Sequence, residues 1–160
     1  MPSLVQMASP VGALLRERGQ TVSVSESAAG GLISAALLSV PGASAYFIGG
    51  GAVYTQTARR GILRFNDAKA EMPGSTEEYA TLAASAIRDI LDTDWAIGES
   101  GAAGPGGNRY GNPAGYVALA VVGPSSATRV VQTGNDDRED NMWTFACTAL
   151  DLLYDTLKGS

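Results

Sequence analysis

Histidine is absent from this 160-residue chain, and its absence removes whole classes of chemistry. No Ser-His-Asp or Cys-His catalytic set can form within it. No zinc site built from histidine and cysteine can either, so any metal would be a hard cation held by carboxylates. Cysteine is nearly as scarce: Cys147 stands alone and cannot form an internal disulfide, which makes the cytoplasm the expected compartment. Lysine occurs only at Lys69 and Lys158. No apolar run approaches membrane-spanning length, and Met1-Pro2-Ser3-Leu4 lacks the basic and apolar regions of a signal peptide. Basic clusters are missing as well. With a formal net charge of −5 and a pI of about 4.6, neither nucleic acid nor a membrane is an expected partner.

What remains is a globular composition, 45% hydrophobic and 17% charged, without repeats or low-complexity tracts, and it predicts one domain over residues 1–160. The most informative stretch is Glu26-Ser27-Ala28-Ala29-Gly30-Gly31. It closes an alternating strand pattern, Thr21 to Ser25, and opens a helical one, Leu32 to Leu38. A serine on a sharp strand-to-helix turn stands beside the free N–H groups of the first helical turn. Ser27 is therefore placed to act as a nucleophile, an anion contact or a simple helix cap, and Gly30 and Gly31 allow close approach by a ligand or another backbone.

Further along, a first helix is expected from Leu4 or from Ser9-Pro10 to Gly19. Ala45 to Thr55 reads as a strand with a bulge at Gly49-Gly50-Gly51, and Ala58, Ile62 and Leu63 as a short helix. Ser75 to Leu91 gives the clearest helical period, opened by a Ser75/Glu78 capping box. Trp95 to Gly98 predicts a buried strand that ends in a loop from Ser100 to Gly107. Tyr116 to Val122 and Thr128 to Gln132 are further strands, and Asp140 to Leu157 a last helix. The alternation predicts an α/β fold, a single-domain three-layer α/β/α sandwich, and the short links after Trp95 make its sheet mixed.

Open α/β sheets bind ligands at the carboxyl ends of their strands. Those ends carry Ser27, then Tyr54-Thr55-Gln56, then Ser100 and Gly101 with the glycine loop behind, and a fourth segment from Gly134 to Arg138. Clustered, they would form a site for a small phosphorylated or carboxylated molecule. Gly104 to Gly107 matches neither a P-loop nor a dinucleotide fingerprint. The acidic run Asp136, Asp137, Glu139, Asp140 reads as a helix start favoured by the dipole, not as a metal site.

Taken in order, several blocks resemble the CinA C-terminal domain family, the competence/damage-inducible proteins whose single-domain members include nicotinamide mononucleotide deamidases. Val24 to Gly31 resembles the family's Ala-Glu-Ser-Cys-Thr-Gly-Gly turn, and Val40 to Phe47 with Gly49-Gly50 its next segment. Gly101 to Gly107 resembles the Gly-Ile-Ala-Gly-Pro-x-Gly loop, and Pro113-Ala114-Gly115-Tyr116-Val117 a Pro-Val-Gly-Thr-Val block. The resemblance covers about Leu4 to Leu157. It implies an amidohydrolase without metal or cofactor that releases ammonia from a small carboxamide, by a serine nucleophile and a lysine base. It also implies a homo-oligomer, here without the N-terminal domain of larger family members.

Carried over by residue, the serine falls on Ser27, the tyrosine on Tyr54, a threonine on Ser100 and an arginine on Arg138, with Gly30, Gly31, Gly101, Gly104 and Gly106 as substrate-binding turns. The base lysine falls on Arg59. Arginine starts above about 12.5 and stays charged, so it cannot take a proton from Ser27. It can hold a carboxylate or phosphate, or stabilise an oxyanion. Glu26 and Glu99 are the candidate substitute bases, with Lys69 a third. Ala28 and Ala29 replace the family's Cys and Thr, and Met142 and Trp143 stand where arginines are frequent. The first reading is hydrolysis of a small carboxamide. The alternatives are a binding protein that kept the pocket for a small anionic ligand, or a hydrolase or lyase using a carboxylate base on another substrate.

Overall fold

Ser3 opens the first helix through a reciprocal capping box, its hydroxyl accepting from Gln6 N–H while the Gln6 side chain accepts from Ser3 N–H. That helix, α1 (Leu4–Arg18), passes through Pro10 on its exposed face and stops at Gly19, whose φ of 62° takes the chain out of the helix. Of the two expected starts the chain uses the earlier, because the cap satisfies the first orphan donors. The computed structural model describes residues 1–160. After α1 come β1 (Val22–Glu26), α2 (Leu32–Ser39), β2 (Phe47–Ala52), α3 (Gln56–Leu63), α4 (Asp67–Glu71) and α5 (Glu77–Leu91). Then follow β3 (Trp95–Ala102), β4 (Tyr116–Val122), β5 (Ala127–Gln132) and α6 (Arg138–Lys158).

The strands form one sheet in the order β2-β1-β3-β4-β5. β1 pairs in parallel with both β2 and β3, whereas β3–β4 and β4–β5 are antiparallel, so the sheet is mixed. Its larger face carries Val22, Val24, Ile97, Val117, Leu119 and Val121 against α1, α2 and α6, which contribute Leu15, Ile33, Leu37, Phe145 and Leu153. Each such side chain, fully buried, stabilises the fold by about 1.5–3 kcal/mol. The other face carries Ala96 and Val122 against Tyr79, Ala83 and Ile87 of α5, with Leu63, Phe65 and Ala70 from the α3–α4 region. α5 lies very close to β3: a Cβ on Gly98 would sit 2.0 Å from Ala80 O. No helix is long and apolar enough to cross a membrane.

Three local expectations change. The irregularity in β2 falls where Val22 pairs with Phe47 and Ser23 with Gly49, so Ile48 is the extra residue and the bulge precedes the glycine triplet. α5 is capped by Thr76, whose side chain accepts from Tyr79 N–H, and not by Ser75, which adopts φ 56° and turns elsewhere. β3 continues to Ala102, so Glu99, Ser100 and Gly101 are strand residues; seven antiparallel pairs with β4, reaching Ala102↔Tyr116, extend it.

Candidate functional site

Because β2, β1 and β3 are parallel neighbours, their carboxyl ends meet at one edge of the sheet. A cavity of about 540 Å³ opens there, lined by Ser27, Tyr54, Arg59, Ser100 and Gly101 together with residues from two loops. A smaller hollow of about 140 Å³ adjoins it, sharing Tyr54 and Gly101 and adding Gly104, Gly106 and Arg138. Arg138 Nη2 donates to Tyr54 Oη at 3.2 Å, and its Nη1 donates to the Gly104 carbonyl. Eight of the ten expected contact residues therefore gather around two joined spaces; Gly30 and Gly31 line neither. Gly30 (φ 67°) faces Met142 and Gly31 (φ 105°) enters α2, so both shape the turn without touching the cavity.

Glu26 is completely buried and its two oxygens accept four hydrogen bonds. Oε1 takes Gly31 N–H and Ile33 N–H at 2.9 and 3.0 Å; Oε2 takes Ser34 N–H and Ser34 Oγ–H at 2.9 and 2.7 Å. The carboxylate thus caps α2, a task that Gly31 at the N-cap cannot perform with no side chain. With both oxygens committed to the donors of α2, Glu26 is a structural acid, and the expectation of a substitute base there is corrected. Lys69 is exposed on α4, its ammonium 5.9 Å from the Phe65 ring centre, and does not reach the cavity.

Glu99 behaves differently. Side chains alternate along β3, so Ser100 points to the α5 side with Gly98, and Glu99 to the α2 side with Ile97. There Glu99 Oε2 accepts from Ser27 N–H at 2.7 Å and from Ala29 N–H at 3.0 Å, holding the serine turn from beneath. Oε1 is buried and has no partner. Burial pushes the carboxyl up from 4.5 to about 7. The N–H groups of Ala29 and Ser27 oppose the rise, and the Glu26 charge adds to it.

Arg59 projects from α3 and is only 6% exposed. Its guanidinium lies 4.1 Å from the Tyr79 ring centre, and Nη1 donates to Ala70 O and Met72 O at 2.9 and 2.7 Å. Tyr79 answers to burial, which raises its phenol, more than to the Arg59 charge, which lowers it. Ser100 Oγ accepts from Ser75 N–H at 3.0 Å, and Ser75 Oγ in turn accepts from Asn108 Nδ2 at 2.9 Å. Ser75 has thus left the helix cap for the cavity wall, which is why Thr76 caps α5.

Sequence reasoning missed Ser75, Asn108, Arg109 and Tyr110 as cavity residues. It also missed Asn141, fully buried in α6, whose Nδ2 donates to Ala103 O and Asn135 O and ties the glycine loop to the segment before α6. An asparagine on the inner face of an apolar helix was the available signal for the last; nothing in the spacing marked the others.

The model of the CinA C-terminal domain family matches residues 4–157. A CinA-like protein of Synechocystis sp. is 39% identical over 158 residues, which is 96% of this chain and 38% of the relative. One of Desulforapulum autotrophicum is 36% identical over 149 residues, 92% of this chain and 35% of the relative. The chain therefore spans about a third of the length of the curated relatives it matches. Among solved structures, a CinA superfamily protein from Klebsiella pneumoniae 700603 superposes with a TM-score of 0.91 at 25% identity, over 99% of this chain and 100% of that one. The competence/damage inducible protein CihA from Agrobacterium tumefaciens gives 0.88 at 27% identity, over 99% and 98%.

Proposed function

The chain belongs to the CinA C-terminal domain family, and on that footing we propose that it is a serine amidohydrolase acting on the carboxamide of a small, nucleotide-type molecule such as nicotinamide mononucleotide. One observation carries the reading. The serine on the strand-to-helix turn lines the largest cavity, and its own N–H is held by a buried carboxyl group that titrates near pH 7 and keeps one oxygen unpartnered. A base is most effective when its pKa lies near the working pH.

In this reading Ser27 Oγ adds to the carboxamide carbon while its proton passes to the Glu99 carboxylate. The C–N bond of the tetrahedral adduct breaks as that proton moves to the nitrogen, and ammonia leaves. Water then adds to the Ser27 ester with Glu99 again accepting the proton. The acid product departs and the proton returns to Ser27 Oγ. Arg59 takes no proton in any step. Ser100, fixed by Ser75 N–H, keeps its own O–H for a substrate oxygen.

Ammonia release from nicotinamide mononucleotide, compared between the native protein and Ser27→Ala, tests the proposal. Loss in the variant supports it; equal release removes Ser27 from the mechanism. A second reading is favoured by Arg59, which replaces the expected base with a fixed cation: the chain binds an anionic molecule without turning it over. Thermal stabilisation by the ligand with no ammonia released from the native protein selects that reading.

A further inference from the structure

We propose that Arg59 and the loop carrying Arg109 and Tyr110 form an oxyanion subsite, which takes a carboxylate or phosphate group borne by the substrate. The proposal deepens the functional reading and rests on it in one respect, that the cavity beside Ser27 is where substrate binds.

A planar guanidinium has two edges that can each pair with two oxygens. In Arg59 the Nη1 protons are taken by Ala70 O and Met72 O. Nε is buried and unpartnered, and Nη2 makes no hydrogen bond within the chain. Nε–H and Nη2–H point the same way, so the unused groups constitute one complete edge. No carboxylate neutralises it: the ion pairs of the fold belong to Arg60 and Arg129. A buried cation with two idle donors is unfavourable unless an anion completes it. Stacking on Tyr79 holds the plane in place but leaves that edge free.

The space beside this edge is preserved by Gly74. A Cβ there would lie 2.8 Å from Arg59 Nη2, 3.1 Å from Ser100 Oγ and 3.5 Å from the Tyr110 ring. Those three groups therefore bound a small hollow that opens into the main cavity. Its outer rim supplies a second cation. Asn108 Oδ1 accepts from the N–H groups of Tyr110 and Asn112, and its Nδ2 reaches Ser75, so the loop is keyed to the wall that fixes Ser100. Arg109, carried by that loop, donates to Tyr110 Oη at 2.8 Å and lies 5.0 Å from its ring centre. Burial would raise the Tyr110 phenol, but the Arg109 hydrogen bond, the Gly74 backbone and the two guanidinium charges outweigh it and bring it down, as a positive field requires. Two arginines and no carboxylate line the cavity of a protein whose net charge is −5. The substrate class is accordingly a small amide that also bears an oxyanion.

Titration of the ¹⁵N-labelled protein with sodium phosphate, and separately with sodium acetate, tests this, with sodium chloride at matched ionic strength as the control. Saturable shifts at the amides of Gly74, Ser75 and Ser100 are expected with phosphate, acetate or both, and the stronger of the two identifies the group recognised. Arg59→Lys keeps the charge and loses the fork, and should bind about tenfold more weakly. Arg59→Met should not bind, and Arg109→Gln should bind a few-fold more weakly. Arg129→Gln, whose partner is Asp155 on the surface, should match the native protein. Shifts equal to those in chloride, or equal affinity in Arg59→Lys and the native protein, would overturn the proposal. Should Arg59→Met fail to fold, Arg59→Lys decides alone. Anion binding without ammonia release sinks the amidohydrolase reading and leaves the subsite; ammonia release without anion binding sinks only the subsite.

Discussion

Replacing Glu99 by glutamine keeps the shape of a buried side chain and removes its titration, so it isolates what this carboxyl does to the fold. In the unfolded chain the group titrates at 4.5; in the fold, burial raises it to about 7. Between those values the folded protein binds one more proton here than the unfolded chain. The stability contributed by the protonated carboxyl is therefore fully present below 4.5 and is lost as the pH rises through about 7. At about 1.36 kcal/mol for each tenfold change in acidity, the loss approaches about 3 kcal/mol. Solvent does not screen the effect, because Glu99 is only 1% exposed.

Glutamine has no proton to release. The difference in unfolding free energy, Glu99→Gln minus native, should climb by about 3 kcal/mol from about pH 4.5 to about pH 8, and be level on either side. For a chain of this size that equals about 6–12 °C in Tm. Urea unfolding of both proteins at half-unit pH steps measures it. Asp151, whose carboxyl is raised by burial and by the Asp155 charge, is common to both proteins and cancels in the difference. Parallel stability curves across this range would refute the reasoning, since they would mean that Glu99 titrates alike in folded and unfolded chains.

Catalysis should respond at the same residue: the native rate is expected to rise with pH through about 7, and Glu99→Gln to lose both that limb and about 10²–10⁴ in rate, read from ammonia release against pH. Ser27→Ala should abolish release while leaving the urea midpoint within experimental error, because no hydrogen bond of the fold uses its hydroxyl. Glu26→Gln offers one carbonyl oxygen where two carboxylate oxygens accept four bonds, and turns an amide N–H toward the donors of α2; a loss of about 2–3 kcal/mol in urea unfolding is expected, and an unchanged midpoint would deny its capping role. Thr76→Ala should lower stability by about 1 kcal/mol, a Tm decrease of about 2–4 °C by calorimetry, whereas a Tm equal to native would return the α5 cap to another residue.

How far the sequence carried the site is clearest by comparing Ser27 with Ser75. Ser27 sits where a strand pattern ends and a helix pattern begins, and that local signal placed it at the sheet's carboxyl edge, where it lies. Ser75 precedes an equally clear helix, and its Ser-x-x-Glu spacing is a valid capping signal. The cap went to the adjacent Thr76 because Ser100, 25 residues away in the chain, takes the Ser75 N–H. Local spacing ranks two neighbouring hydroxyls about equally; a distant partner separates them. The two acids near the turn divide the same way. Glu26 and Glu99 were equivalent as candidate bases, and one is saturated by α2 while the other keeps a bare oxygen.

Sequence alone determined the three-layer mixed-sheet class and the order of every helix and strand except α4, because hydrophobic period and turn chemistry are local, whereas the sheet order decided that Ser27, Tyr54 and Ser100 share one edge. Sequence also determined what is absent, since a residue type missing from the chain is missing from every site. Tertiary structure decided which acid keeps an unpartnered oxygen, which arginine edge is unpaired, and which loop supplies the rim. Those properties depend on desolvation and on partners tens of residues away, and neither is written in the spacing of any one segment.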